Sequence, residues 1–279
     1  VHAEMVSNQF TQVEQIRANF PPDWEVPEFR IEYWDGKTSD YCVVVPVINE
    51  GERIRQFVRR LKESSIYSIA DVIIVDGGST DDSLEQAYLR AHSIRGLLTK
   101  IGPGKLSSQL RVAYAFSLLG DYDGIVTIDG NNKDDPQTIR EFISLARKGY
   151  DFIQASRFIK GGRHRNTPFL RYLAIRLIHA PLLSICSGFH WTDTTQGFRA
   201  YSRKGLLDPR VKPFRRIFKD YELLAYLSYR IPKLGLKCIE TPASRLYPKG
   251  KAPTKISSFR GSIGLIRTLL HACFGKFNP

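Results

Sequence analysis

The feature that most restricts this chain is a repeated pairing of a short apolar run with a helix-period stretch, beginning near residue 41. Residues 41–48 are Val-rich and of strand length. Ile54, Phe57, Val58 and Leu61 then fall at the i, i+3, i+4, i+7 spacing of one helix face. The unit recurs: residues 71–75 read as strand and 81–91 as helix, 97–101 as strand and 107–117 as helix, and 124–128 as a fourth strand. Pro136 then suits a helix's first turn. Ile139, Phe142, Ile143 and Ala146 give that helix an apolar stripe, and residues 152–155 read as a further short strand. Strands alternating with helices predict an α/β fold with a mostly parallel sheet flanked by helices. In such sheets ligands bind beyond the carboxyl ends of the strands, so the loops after each strand matter most. Residues 1–40, with Pro21, Pro22 and Pro27 and no clean period, read as an N-terminal extension. Residues 41–256 read as one domain and 257–279 as a basic, amphipathic C-terminal segment.

A formal net charge of +13 attracts anionic partners: nucleic acid, acidic headgroups or a phosphorylated substrate. No Asp or Glu follows Glu240, whereas Arg245, Lys249, Lys251, Lys255, Arg260, Arg267 and Lys276 do. A second acid-free stretch, between Asp151 and Asp193, holds Arg157, Lys160, Arg163, Arg165, Arg171 and Arg176. Two basic segments that flank one anionic ligand are the expectation. Nothing matches a nucleic-acid reader motif or interleaves the cations with a stacking platform, so no nucleic-acid partner is expected. Cys42, Cys186, Cys238 and Cys273 are widely spaced with no C-x-x-C pair. They fit small core residues in a reducing compartment. The N-terminus has no basic region followed by an apolar core, and no uncharged apolar stretch reaches about 18 residues. The expectation is a cytoplasmic chain, soluble or peripheral on the cytoplasmic face of a membrane, without a spanning helix. Oligomeric state leaves no trace in the sequence.

The loop after the first strand is Pro46-Val47-Ile48-Asn49-Glu50; the loop after the second begins Asp76-Gly77-Gly78-Ser79-Thr80-Asp81-Asp82. In the second an acid ends a buried strand, two glycines permit a tight turn, and Ser79 to Asp82 can cap a helix. A plain strand–turn–helix link has this form, and so does a ribose or base site. The fourth strand runs into Asp129-Gly130-Asn131-Asn132-Lys133-Asp134-Asp135-Pro136. Such a crowd of oxygen ligands is either a solvated acidic turn or a seat for a hard divalent cation that bridges two phosphates.

Six segments stand in order: V-P-V-I-N-E-G-E-R-I from Val45, I-I-V-D-G-G-S-T-D from Ile73, V-T-I-D-G-N from Val126, Q-A-S-R-F from Gln154, T-D-T-T-Q-G-F-R-A-Y from Thr192, and K-D-Y-E-L-L from Lys219. Over residues 41–256 their order and spacing resemble family 2 glycosyltransferases of the GT-A fold, and among them the dolichyl- and polyprenyl-phosphate sugar synthases. The resemblance implies a nucleotide-diphosphate sugar as donor, with Pro46, Glu50, Asp76, Lys105, Asp129 and Gly130 bordering the nucleotide. It implies a divalent metal, Mg or Mn, at the D-x-D positions Asp129 and Asn131. Asn131 replaces the second carboxylate, so the divalent ion is expected on Asp129 with Asp134 or Asp135 as a further ligand, and Lys133 is the alternative source of positive charge. Arg157 is implied near the sugar and phosphates, with Gln196 and Arg199 in the neighbouring loop. Arg163, Arg165, Arg245, Lys249 and Lys255 are the cations expected toward the acceptor phosphate.

An inverting transfer attacks the anomeric carbon in line as the diphosphate leaves, and most of its catalysis is positioning and electrostatics. A hydroxyl acceptor needs a carboxylate base and an ionised phosphate does not. By resemblance Asp220 is the base candidate and Glu222 its alternate, unless the acid is a helix-start carboxylate favoured by the dipole. Residues 163–186, which mix Leu170, Leu173, Leu177 and Leu183 with Arg171, Arg176 and His179, suit either a helix at a lipid interface or one packed on the core. A lipid-linked or polyprenyl-phosphate acceptor, approached at an anionic membrane surface, is the first reading. Transfer to a glycan or small-molecule hydroxyl through Asp220 is the second, and a sugar nucleotidyltransferase is a remote third. A nicotinamide dehydrogenase is excluded, because no G-x-G-x-x-G follows the first strand.

Overall fold

Two strands of β-branched residues, covered on both sides, form the centre of the molecule. The computed structural model describes residues 16, 19–247 and 259–279, with side chains given from residue 264 onward in the last stretch. β2 (Tyr41–Val47) and β3 (Asp71–Asp76) bury every residue, the continuous apolar run expected of parallel strands with helices on both faces. Around them lie β1 (Phe29–Trp34), β4 (Gly96–Lys100), β5 (Gly124–Thr127), β6 (Phe152–Ser156), β8 (Arg199–Ser202) and β9 (Cys238–Pro242). The resulting eight-stranded sheet has the order β1-β4-β3-β2-β5-β8-β6-β9. β2 through β5 run parallel, whereas β8 runs antiparallel between β5 and β6. A separate two-stranded ribbon pairs β7 (Arg163–Arg165) with β10 (Ser244–Leu246).

The helices follow the apolar spacing. α1 (Glu52–Glu63) buries Ile54, Phe57, Val58 and Leu61 on one face of the sheet. After α2 (Gln86–Ala91), α3 (Leu106–Leu119) buries every residue from Ser107 to Leu118, as a helix does when it is enclosed by sheet and further helices. α4 (Thr138–Arg147) joins the α1 face through Ile139, Phe142 and Ile143. Full burial of such a side chain stabilises by about 1.5–3 kcal/mol relative to exposure. α5 (Phe169–Ser187) contains a π-helical turn at Ile175–His179. α6 (Arg203–Leu207), α7 (Glu222–Lys233) and α8 (Phe259–Cys273) complete the set.

Two expectations are corrected. Regular structure begins before residue 41: Phe29, Ile31 and Tyr33 are buried, and β1 pairs antiparallel with β4 at the sheet edge. The alternation in F-R-I-E-Y-W is the period-2 signal that carries it. A helix long and apolar enough to cross a membrane is present after all. α5 has 19 residues, about 28 Å at 1.5 Å per residue, and its two arginines had excluded it from an uncharged count. Within α5, Ile175, Ala180, Leu183 and Ser187 are buried against the protein. The C-terminal segment also packs on the domain, since α8 buries Leu269 and Ala272 in the core shared with α7.

Candidate active site

The turns after β2, β3, β4 and β5 open at one edge because the four strands are parallel. At the end of β3, Asp76 is 6% exposed and accepts from the Ser79 amide at 2.9 Å and hydroxyl at 2.6 Å, which fixes the turn. Gln109, on α3, donates to the Val47 and Val75 carbonyls at 2.8 Å each and so ties two strand ends together. Glu50 is buried and paired with Arg53 at 2.8 Å. The Gly130 amide donates to the Pro46 carbonyl at 3.4 Å. A Cβ on Gly130 would stand 2.7 Å from Val47 Cγ2, so the chain can cross there only as glycine.

The loop after β5 is closed by charge. Arg60 of α1 reaches Asn132 Oδ1 at 2.8 Å and the Asp134 carbonyl at 3.1 Å. Arg245 of β10 bridges two acids, with Nη1 on the fully buried Asp134 carboxylate and Nη2 3.3 Å from Asp129 Oδ2. Burial works against a charge here, but Asp134 and Asp129 hold the Arg245 guanidinium above its ordinary value. Asn131 donates its amide nitrogen to Asp129 Oδ2 at 3.3 Å, and its Oδ1 accepts from the Lys133 backbone amide at 3.2 Å. The Lys133 ammonium lies 5.2 Å from the Tyr247 ring centre. Burial, and then Arg245, push its pKa down.

Beside this loop Arg157 grips Asp193, with Nε 2.6 Å from Oδ2 and Nη2 2.9 Å from Oδ1. Gln196 donates to the same carboxylate at 2.6 Å. Arg157 Nη1 and Gln196 Oε1 are buried without a protein partner. Gly197 follows, and a Cβ there would stand 2.5 Å from Asp129 Oδ1, so the two loops touch. Arg171, from the first turn of α5, donates to the Tyr247 hydroxyl at 3.3 Å. Burial would push the Tyr247 phenol up, but Arg245, Arg157 and Arg171 outweigh it and hold the phenol below its ordinary value. β7–β10 pairing lays Arg163 and Arg165, both exposed, along the strand that carries Arg245.

Asp129, Gly130, Asn131, Arg157, Gln196 and Arg245 thus converge, with Pro46 and Glu50 at the adjoining strand end. Lys105 and Asp220 form a separate pair at 3.5 Å. Glu222 accepts from the Lys219 and Asp220 amides at 2.9 and 2.7 Å, which makes it the carboxylate at the start of α7. Arg199 is placed otherwise than the resemblance implies. It is fully buried, and its guanidinium donates to the Gln196 and Leu224 carbonyls and Ser228 Oγ, so it braces the loop from behind. Lys249 and Lys255 lie outside the described residues. Asp193 and Tyr247 are visible in the sequence only inside longer motifs, and Gln109 not at all, whereas Asp134, expected as a helper ligand of the metal, is instead paired with Arg245. The charge complement between Asp134 and Arg245 was the one signal available for that bridge.

α5 borders the arginine cluster, and its outer stripe is apolar: Leu170 is 79% exposed, Leu177 69% and Ile185 80%. These positions recur at seven- and eight-residue spacing, which is one helix face.

The sequence profile of the family described as "Glycosyl transferase family 2" matches residues 42–208, more than half of the chain. The chain belongs to that family. It is therefore a glycosyltransferase. An undecaprenyl-phosphate 4-deoxy-4-formamido-L-arabinose transferase of Proteus mirabilis is 27% identical over 173 residues, 60% of this chain and 50% of that protein. This family 2 chain spans about half the length of that relative. A polyprenol monophosphomannose synthase of Mycolicibacterium smegmatis is 23% identical over 211 residues, 74% of this chain and 77% of the relative. Among solved structures, glucosyl-3-phosphoglycerate synthase from Mycobacterium tuberculosis in complex with Mn2+, UDP and glucosyl-3-phosphoglycerate superposes with a TM-score of 0.54. It is 18% identical and covers 84% of this chain and 80% of its own. That likeness shows the GT-A fold.

The Mn2+ of such relatives prompts a test of the donor set here. Asn131 turns its amide nitrogen, fixed by the Lys133 hydrogen bond, toward Asp129. Arg245 already compensates both Asp129 and Asp134. The side chains at this position do not fit a divalent cation.

Proposed function

We propose that this glycosyltransferase moves a sugar, with inversion, from a nucleotide-diphosphate sugar to a polyprenyl-type lipid phosphate on the cytoplasmic face of a membrane. One observation carries the reading: Arg171 reaches the hydroxyl of the buried Tyr247 at 3.3 Å and Arg163 and Arg165 stand exposed on the adjoining ribbon, beside a helix with an exposed apolar stripe. Such a well of positive charge favours a phosphate oxyanion, and the stripe suits its hydrocarbon chain. The names of the two relatives, which refer to undecaprenyl phosphate and to polyprenol, support the same class of acceptor.

In this reading Asp76, Glu50 and Pro46 border the nucleoside, and the Asp129 turn faces the diphosphate. An acceptor phosphate oxygen attacks the anomeric carbon and forms the new C–O bond. The bond from that carbon to the donor's β-phosphate oxygen breaks, and its electron pair leaves with the nucleoside diphosphate. An acceptor phosphate is already ionised and needs no base. That agrees with the engagement of Glu222 by two backbone amides and of Asp220 by Lys105.

The test supplies purified chain with radiolabelled UDP- and GDP-sugars and detergent-dispersed polyprenyl phosphate or polyprenol. Label is expected in the lipid fraction with the phosphate alone, and Arg171→Ala should raise the acceptor KM about tenfold with a smaller change in kcat. Equal labelling of the neutral alcohol would overturn the proposal in favour of a hydroxyl acceptor.

A further inference from the structure

We infer that Arg245 is a built-in cation of the donor site, standing where relatives use a metal ion, so that this chain binds its nucleoside diphosphate without a divalent cation. The inference rests on the reading above that the Asp129 turn holds the donor diphosphate.

Three features carry it. The first is charge balance. Asp129 and Asp134 are both paired with Arg245, and Asp135 lies 3.7 Å from Arg60, so the turn offers a divalent ion no pair of carboxylates free of a cation. The second is ligand chemistry. Asn131 brings a neutral amide where a second carboxylate would stand, and presents N–H groups toward Asp129. Those groups repel a cation and suit an oxyanion.

The third is geometry. Arg245 is 7% exposed and held from two sides, and β10 is itself anchored by its pairing with β7 and by the Leu246 amide on the Lys133 carbonyl at 2.8 Å. A guanidinium fixed in this way is pre-organised and cannot lose its proton at working pH. It needs no reorganisation as charge collects on the departing diphosphate oxygen, which is the condition under which an electrostatic contact lowers a barrier. Its planar fork can turn one edge to the acids and the other to phosphate oxygens.

The experiment is calorimetric titration of the full chain with UDP, GDP and CDP, in EDTA and then with excess Mn2+. One nucleoside diphosphate should bind in EDTA with an affinity within about threefold of that in Mn2+. Arg245→Gln should weaken that binding at least about tenfold in both buffers. Circular dichroism and thermal melting check that the variant is folded. Should it not fold, Arg245→Lys, which keeps the charge but not the fork, takes its place with the same expected direction. Binding that appears with Mn2+ and disappears in EDTA overturns the inference and leaves the donor-site reading intact. Undiminished binding by a folded Arg245 variant overturns it as well. No binding of any of the three nucleotides in either buffer overturns both.

Discussion

Arg157 and Asp193 meet as a bidentate pair at 1% and 0% side-chain exposure. An amide at position 193 would leave the Arg157 charge buried with one partner fewer and no compensating charge. Loss of one member of such a pair costs about 3–5 kcal/mol. Asp193→Asn should therefore lower the urea midpoint by that equivalent without a change in slope, and a loss under about 1 kcal/mol would show that the pair does not brace the loop. Both residues stood in recognised motifs, Q-A-S-R-F and T-D-T-T-Q, yet their contact spans 36 positions. No periodicity reports a contact of that kind. Arg199 makes the converse point. Its motif pointed to the ligand, and only the fold reveals that its hydrogen bonds are satisfied by backbone carbonyls and Ser228.

α5 shows what an element's sequence can and cannot say. Its mixture of leucines and arginines fitted a lipid interface and a core helix equally, and the fold uses the two faces differently. Ile175, Ala180 and Leu183 face the protein, while Phe169, Leu170, Leu177 and Ile185 stay 69–80% exposed. An apolar stripe of this extent is unusual on a surface that meets water alone. Leu170→Glu with Ile185→Glu should abolish flotation with vesicles of anionic phospholipid while leaving the melting temperature within a few degrees, since neither side chain is packed. Flotation of the double variant equal to that of the parent would sink the idea that α5 faces lipid. By contrast, α1 and α4 were readable from sequence because a single apolar face against a sheet repeats every 3–4 residues. β1 was overlooked because prolines on its N-terminal side hid three alternating buried residues.

At the scale of the whole molecule the parallel centre of the sheet was legible, because strands buried on both faces must be continuously apolar. The reversal of β8 between β5 and β6 was not, because its direction is set by where the chain re-enters after α5. That re-entry also couples α5 to the site loop through His179, whose Nδ1 lies 3.5 Å from Thr194 Oγ1. Burial pulls the imidazole down to about 4, with Asp193 opposing. As the pH falls below the unfolded value of about 6.5 the unfolded chain takes up a proton that the folded chain refuses. Stability therefore declines from pH 6.5 to about 4 and is not lost further through this residue below that point. The full decline is on the order of 3 kcal/mol. Asp208, which Arg210 holds below its ordinary 3.8, acts with the same sign, the unfolded chain again binding the extra proton, but in a lower window. Its stabilisation is complete above pH 3.8 and fades only as the pH falls through its folded value. The two contributions thus separate on the pH axis. Unfolding free energies measured by urea between pH 4 and 7 should fall steadily for the parent chain and much less for His179→Asn. Parallel curves for the two proteins would mean that α5 already yields its buried face, and the imidazole with it, before the rest of the fold.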